Sequence, residues 1–237
     1  MGERPVVVIT GSSKGIGRGL AEFFLQKDYA VVGCSRGPST LEAPLYEHAT
    51  VDVGDEKQVR EWIRSVKVAH ERIDVLICNA GVVRSALLLT VTPGDVIGTF
   101  LRTNIAGVYY VLREASKVMI RRGYGRIITI SSILTSLHEE GTSAYAASKA
   151  AVTEMTKVAA RELAPRGITC NVIAPAMVMT GPAQDLAANG DWQQRMLEKQ
   201  TIKRPLTIAE ICRVAEFLAA PESGCITGQV ISLGLVT

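Results

Sequence analysis

Apolar positions along the chain fall into two alternating patterns. Short runs rich in β-branched residues, VVVIT (6–10), AVVGC (30–34), ATVDV (49–53), DVLICN (74–79), RIITIS (126–131), ITCNVIA (168–174) and QVISL (229–233), read as strands. Between them lie longer segments with apolar residues at helical spacing, such as GRGLAEFFLQKD (17–28), EKQVREWIRSVKVAH (56–70) and AEICRVAEFLAA (209–220). Strands alternating with helices imply parallel pairing, because a parallel neighbour is reached only through a crossover. The pattern predicts an α/β fold, a doubly wound parallel sheet of about seven strands covered on both faces. One connection is irregular: GPSTLEAPLYEH (37–48), with Pro38 and Pro44, is too short and too broken for a full crossover helix, which is expected to be vestigial there.

Composition narrows this picture without changing it. The 237 residues are 47% hydrophobic and 21% charged, with no repeat, low-complexity linker or composition break, so a single domain over residues 1–237 is expected. The net charge of +3 is mild and evenly spread, which argues against a nucleic-acid surface. Cys34, Cys78, Cys170, Cys212 and Cys225 show no CxxC spacing and read as thiols in a reducing compartment. His48, His70 and His138 have no partner at metal-ligand spacing, so no metal is expected. The chain enters PVVVIT after four residues, so no targeting segment is expected, and no apolar stretch is long enough to span a membrane. The expected location is the cytoplasm.

Two stretches carry chemistry. VVVITGSSKGIGRGL is a strand, a glycine-rich turn and a helix start, with Gly11, Gly15 and Gly17 spaced as GxxxGxG. Such a turn lets backbone approach a pyrophosphate and points helix N-terminal amides at it, although a tight turn with no ligand explains the same residues. In SAYAASKAAVTEM (143–155), Tyr145 and Lys149 at i and i+4 project from one helical face. A phenol titrates near 10, and lowering that by roughly 3 units takes about 4 kcal/mol of preferential stabilisation, which a close ammonium in a desolvated cleft can contribute in large part. A surface Tyr and Lys pair is the plain alternative.

Six segments in order settle between these readings: TGSSKGIG (10–17), CNAG (78–81), Asn104, ISS (130–132), YAASK (145–149) and NVIAPAMVMT (171–180). With them the chain resembles the short-chain dehydrogenase/reductase family over essentially its whole length, which implies a Rossmann-type domain. The resemblance implies that Ser132 holds the substrate oxygen and that Tyr145 exchanges a proton with it as a nicotinamide exchanges hydride. Lys149 would bind the nicotinamide ribose and lower the tyrosine pKa, and Asn104 would hold a water linking Lys149 to solvent. Gly11, Ser13, Lys14, Gly15, Ile16 and Gly17 would cradle the cofactor phosphates, and Asp52 with Val53 the adenine. Asn79, Ala80 and Gly81 would shape the adenosine side, with Asn79 also bracing the sheet, and Pro175 and Val178 would flank the nicotinamide.

At the end of the second strand, where an NAD-preferring site carries a carboxylate, stand Ser35 and Arg36, with Lys14 in the glycine turn. Two cations and no carboxylate suit a 2′-phosphate, so NADP(H) is expected over NAD(H). The overall likeness is to NADPH-dependent 3-oxoacyl-[acyl-carrier-protein] reductases. That implies reduction of a 3-oxoacyl thioester or other small carbonyl substrate; a dehydrogenase of a secondary alcohol, sugar or cyclic diol, and a non-catalytic NADP-binding regulator, are the alternatives. Arg121, Arg122 and Arg126, with Arg166, form a basic cluster that could attract an acyl carrier protein, or else a solvated helix end. The family pattern also implies a homotetramer or homodimer built on the helices carrying Asn104 and Tyr145. Two departures stand out: Ala176 where a glycine is common, and a tail ending SLGLVT without the usual Asp-Gly-Gly. A flap is expected over 179–200, with Gly181, Pro182, Ala187, Ala188, Asn189 and Gly190 as breakers.

Overall fold

The computed structural model describes residues 4–83, 87–180 and 190–236. Seven parallel strands form one sheet in the order β3-β2-β1-β4-β5-β6-β7. They are β1 (Val6–Thr10), β2 (Ala30–Ser35), β3 (Tyr46–Thr50), β4 (Val75–Cys78), β5 (Gly125–Ile130), β6 (Ile168–Pro175) and β7 (Val230–Leu233). The β-branched runs form strands because both faces are buried: in β1, Val6 and Val8 enter one core while Val7 and Ile9 enter the other. The first core is closed by helices α2 (Glu56–His70), α4 (Gly107–Arg122) and α6 (Ser143–Leu163). The second is closed by α1 (Gly15–Gln26) and, near the C-terminus, by the helix Ile208–Ala219. Two shorter helices, α3 (Gly94–Phe100) and α5 (Leu134–Leu137), lie between, followed by α7 (Gly190–Lys199); the helix Ile208–Ala219 is then α8.

The strand order reverses between β1 and β4, so the loops after these two strands diverge and open a crevice at their carboxyl ends. This is where the site sits. The connection from β2 to β3 holds no helix, as the two prolines predict. β3 itself begins at Tyr46 rather than Ala49 and ends at Thr50, a correction to the expected 49–53. Its YEHAT sequence is a half-exposed edge strand whose polar side chains bond sideways, so no apolar run announces it.

The helical run expected through Asn104 is interrupted. Residues Leu101–Ala106 form a π-helical turn between α3 and α4, a geometry associated with functional positions. The basic cluster also needs correction. Arg126 is buried at the start of β5, where its guanidinium donates to the carbonyl oxygens of Gly125, Gly167, Ala220 and Pro221 and stacks on Tyr124. It and the end of α4, carrying Arg121 and Arg122, lie at the amino end of β5, opposite the crevice. The cluster therefore lies at the amino ends of the strands, away from the cleft. Of the expected flap, residues 181–189 lie outside the described residues; Gly190 opens α7. Among the described residues no helix is long and apolar enough to cross a membrane.

Candidate active site

A cleft of about 500 Å³ opens at the carboxyl ends of the strands. It is lined by the glycine-rich turn, by the residues following β2, β4 and β5, and by the loop after β6. The turn is clamped from behind. Asn79 donates from Nδ2 to the carbonyls of Thr10 and Gly11 at 3.0 and 3.2 Å, and the Thr10 hydroxyl accepts from the amides of Asn79 and Ala80 at 3.0 and 2.9 Å. A Cβ on Gly17 would lie 2.2 Å from the Gly11 oxygen and 2.4 Å from Asn79 Nδ2, so α1 approaches the turn closely enough that only glycine fits. Asn79 is thus visibly a brace of the sheet, with Gly81 at the cleft wall.

Several features fit a phosphorylated nucleotide. No side chain caps the start of α1, in contrast to α2 and α8, which are capped by Asp55 and Thr207; its free amides face the cleft beside Ser13, Lys14, Gly15 and Ile16. Lys14 and Arg36 are exposed and line the cleft, and neither has a carboxylate partner among the described residues. Ser35, Asp52 and Val53 line the same end, although one Asp52 carboxylate oxygen accepts from the Gly54 amide at 3.0 Å. Thr103, which sequence reasoning passed over, places a buried hydroxyl there with no partner among the described residues. An orphaned buried hydroxyl facing a cleft is what a ligand would satisfy.

At the other end, α6 is fastened to the carboxyl end of β5 by side-chain hydrogen bonds. Thr129 bonds Thr156 at 2.8 Å, Ser131 donates to the Lys149 carbonyl at 3.1 Å, and Lys149 Nζ donates to the Ile130 carbonyl at 2.8 Å. This pinning places the Tyr145 side chain beside Ser132 at the cleft. The Tyr145 ring packs edge-on to Phe100 at 6.0 Å, and Lys149 Nζ lies 5.9 Å from its centroid. Pro175 and Val178 close the wall.

The electrostatics differ from the expected direction. Burial pushes the Tyr145 phenol up to about 12, only partly opposed by the neighbouring Ser132 hydroxyl, and pushes Lys149 down to about 8. The ammonium is turned toward a backbone carbonyl instead of the phenolic oxygen, so it does not lower the tyrosine. In this state Tyr145 is a loaded proton donor at neutral pH. The Asn104 side chain is held within the protein. Its fully buried amide accepts from the Val82 N–H at 2.8 Å and donates to the Val82 carbonyl and Ser148 Oγ at 3.1 and 3.0 Å. Both amide N–H groups are spent, and the side chain ties the loop after β4 to the tyrosine helix.

The wall around the tyrosine end also includes Leu134, Met177, Trp192, Met196 and Gln200. Trp192, Met196 and Gln200 recur at i, i+4 and i+8 in GDWQQRMLEKQ, a signal that periodicity in that segment offered. Gln200 is buried, and its Oε1 accepts from the Met177 amide at 2.8 Å, holding the loop after β6. Ala176 is accommodated without distortion of the strand end: its amide donates to the Leu233 carbonyl at 2.8 Å, and its methyl faces Gly234, where a Cβ would approach it to 2.8 Å.

Comparison with known proteins gives a consistent result. A family model described as enoyl-(acyl carrier protein) reductase matches residues 11–233. The chain is 34% identical to the 3-oxoacyl-[acyl-carrier-protein] reductase FabG of Staphylococcus epidermidis, covering 94% of this chain and 95% of the relative. It is 33% identical to FabG of Thermotoga maritima, covering 99% and 98%. Among solved structures, ElxO with NADP bound superposes with a TM-score of 0.90 at 32% identity, covering 97% of each chain. An actinorhodin polyketide ketoreductase variant with NADPH superposes with a TM-score of 0.90 at 25% identity, covering 98% of this chain and 96% of that one.

Proposed function

Because the chain belongs to the short-chain dehydrogenase/reductase family, we propose that it is an NADPH-dependent carbonyl reductase acting on a 3-oxoacyl thioester. The observation that carries this reading is the Ser132–Tyr145 hydroxyl pair beside buried Lys149, at one end of a cleft whose other end is the glycine-rich turn. Bound NADPH supplies the hydride. Ser132 and Tyr145 converge on the place of the carbonyl oxygen, and Tyr145 gives that oxygen its phenolic proton as negative charge develops there. Lys149 holds the nicotinamide ribose, and Asn104 keeps α6 in register. Ser13, Lys14, Gly15 and Ile16 receive the pyrophosphate, with Gly11 and Gly17 making room, while Asp52, Val53 and the Asn79–Gly81 loop border the adenosine. The apolar wall of Leu134, Met177, Trp192 and Met196 supports an acyl chain over a sugar or polyol. Relatives named for acyl-carrier-protein substrates support the thioester, with a carrier protein approaching from the cleft mouth. The exposed Tyr109 on α4 and Val158 on α6 support a two-fold assembly through those helices.

The reading is tested by following NADPH absorbance with acetoacetyl thioesters, crotonyl thioesters and a panel of sugars and cyclic diols. Turnover restricted to the 3-oxoacyl compounds supports it. Preference for the unsaturated thioester or for diol oxidation, or cofactor binding with no turnover, overturns it.

The 2′-phosphate assignment makes its own prediction. Arg36→Ala raises the Kd for NADPH by roughly 10-fold or more and leaves NADH within about twofold, because only the phosphate loses a charge-assisted hydrogen bond. The difference shrinks as salt is added. Adding Ser35→Asp moves the preference further toward NADH, since a carboxylate repels the phosphate and accepts from ribose hydroxyls. Equal weakening of both cofactors by Arg36→Ala removes the assignment.

A further inference from the structure

Behind the cofactor end of the cleft lies a chain of polar side chains that the proposed chemistry does not use. Ser12 Oγ, on the fully buried second residue of the glycine-rich turn, lies 3.0 Å from the Tyr46 hydroxyl. That hydroxyl lies 2.9 Å from His48 Nδ1, and His48 Nε2 lies 3.0 Å from Ser35 Oγ and 3.1 Å from the Gly37 carbonyl oxygen. Ser35 Oγ donates to the same Gly37 carbonyl at 2.7 Å. The chain crosses directly over Gly33, where a Cβ would meet Ser12 Oγ at 2.2 Å and the Tyr46 hydroxyl at 2.7 Å. A glycine inside an otherwise apolar strand marks such a close approach.

The donors can be ordered from the acceptors. A carbonyl oxygen only accepts, so His48 Nε2 carries its hydrogen toward Gly37 and Ser35, and Nδ1 accepts from the Tyr46 hydroxyl. Ser12 then donates to the Tyr46 oxygen. The Gly37 carbonyl thus receives two side chains, from Ser35 and from His48, and the residue held between them is Arg36. Arg36 leaves β2 at the cleft wall, and no other described side chain forms a hydrogen bond or ion pair with its guanidinium. Its direction is therefore set by the turn it stands on.

We infer that His48 is a positioning residue for cofactor discrimination: through Nε2 it fixes the Ser35–Gly37 turn so that Arg36 faces the ribose 2′-phosphate. The inference rests on the reading of this cleft as an NADP(H) site. His48 does not line the cleft itself, so its effect passes through the turn and falls on the phosphate contact alone.

Two near-isosteric variants separate the ring nitrogens. In His48→Gln the amide nitrogen takes the place of Nε2 and still reaches Gly37; in His48→Asn it takes the place of Nδ1 and does not. Direct fluorescence titration of NADPH and NADH, without substrate, reads the ratio of the two dissociation constants. His48→Asn lowers the preference for NADPH about 10-fold, the scale of one charge-assisted hydrogen bond, while His48→Gln keeps it within about twofold. In an Arg36→Ala background His48→Asn changes the ratio no further, since the residue it positions is gone. An unchanged ratio in His48→Asn, an equal fall in both variants, or a further fall without Arg36 overturns the inference while leaving the NADP reading intact. A wild-type protein with no preference for NADPH overturns both.

Discussion

Tyr145→Phe folds, binds NADPH within about twofold of the wild type and loses carbonyl reduction by about 10²-fold or more, roughly 2.7 kcal/mol of the barrier. The ring's edge contact with Phe100 survives the change, and Ser132 keeps its bond from the Leu134 amide, so the binding site stays in place while the proton donor is removed. The loss falls on kcat. In the wild type, a phenol at about 12 is protonated throughout the neutral range. Reduction, which needs the acid, therefore shows no loss from tyrosine titration until strongly alkaline pH, whereas the reverse oxidation, which needs the base, climbs with pH. Rate profiles in both directions with purified wild type and variant check this. Near-normal turnover by the variant eliminates Tyr145 as the proton donor.

Lys149→Met is expected to abolish efficient turnover and, at the same time, to stabilise the protein. A buried lysine at about 8 instead of its ordinary 10.5 destabilises the fold at neutral pH; the difference amounts to about 3 kcal/mol. Methionine removes that penalty and also the bond to the Ile130 carbonyl, which returns about 1 kcal/mol, so the net gain is about 1–2 kcal/mol. The sign follows from proton binding. Between pH 8 and 10.5 the unfolded chain holds the lysine proton and the folded chain has released it, so wild-type stability rises with pH across that window. The variant shows no such rise. Urea midpoints measured from neutral pH to pH 10.5 decide the matter; a variant less stable than wild type at neutral pH shows that the charge is better solvated than its burial implies. Its kcat/KM for NADPH-dependent reduction falls by about 10²-fold or more, with weaker NADPH binding, unlike Tyr145→Phe.

Much of this was legible in the sequence because it is written in local patterns. VVVIT and EKQVREWIRSVKVAH occupy their expected ranges, since burial on both faces of a strand and on one face of a helix leaves a periodic trace. The site residues Ser132, Tyr145 and Lys149 come together for a similar reason: a strand end and the helix that packs on it are both readable. What was not legible depends on which partner a side chain chooses. Spacing puts Lys149 one turn from Tyr145, but nothing in YAASK says that its ammonium turns to the Ile130 carbonyl and leaves burial to set the phenol. Arg126 looks like a surface cation in GYGRIITIS, yet β5 carries it inward to the carbonyls of its neighbour Gly125 and of the distant Gly167, Ala220 and Pro221. His48 looks isolated because its partners Ser12 and Ser35 are brought to it only by the parallel pairing of β1, β2 and β3.

The helix-free link between β2 and β3 has a consequence for how such a protein can change. The turn bearing Arg36 is held from behind by β3, and the link to Tyr46 is anchored at Ser39, Thr40 and Leu41, leaving Glu42–Pro44 as its freest stretch. Lengthening a flexible connector is inexpensive, each doubling adding about 0.6 kcal/mol of closure entropy. Insertions near Glu42–Pro44 can therefore accumulate, or be grafted, without shifting the strand that braces Arg36. The chain has separated the part that reads the cofactor from the part that is free to vary in length, so the two can diverge independently.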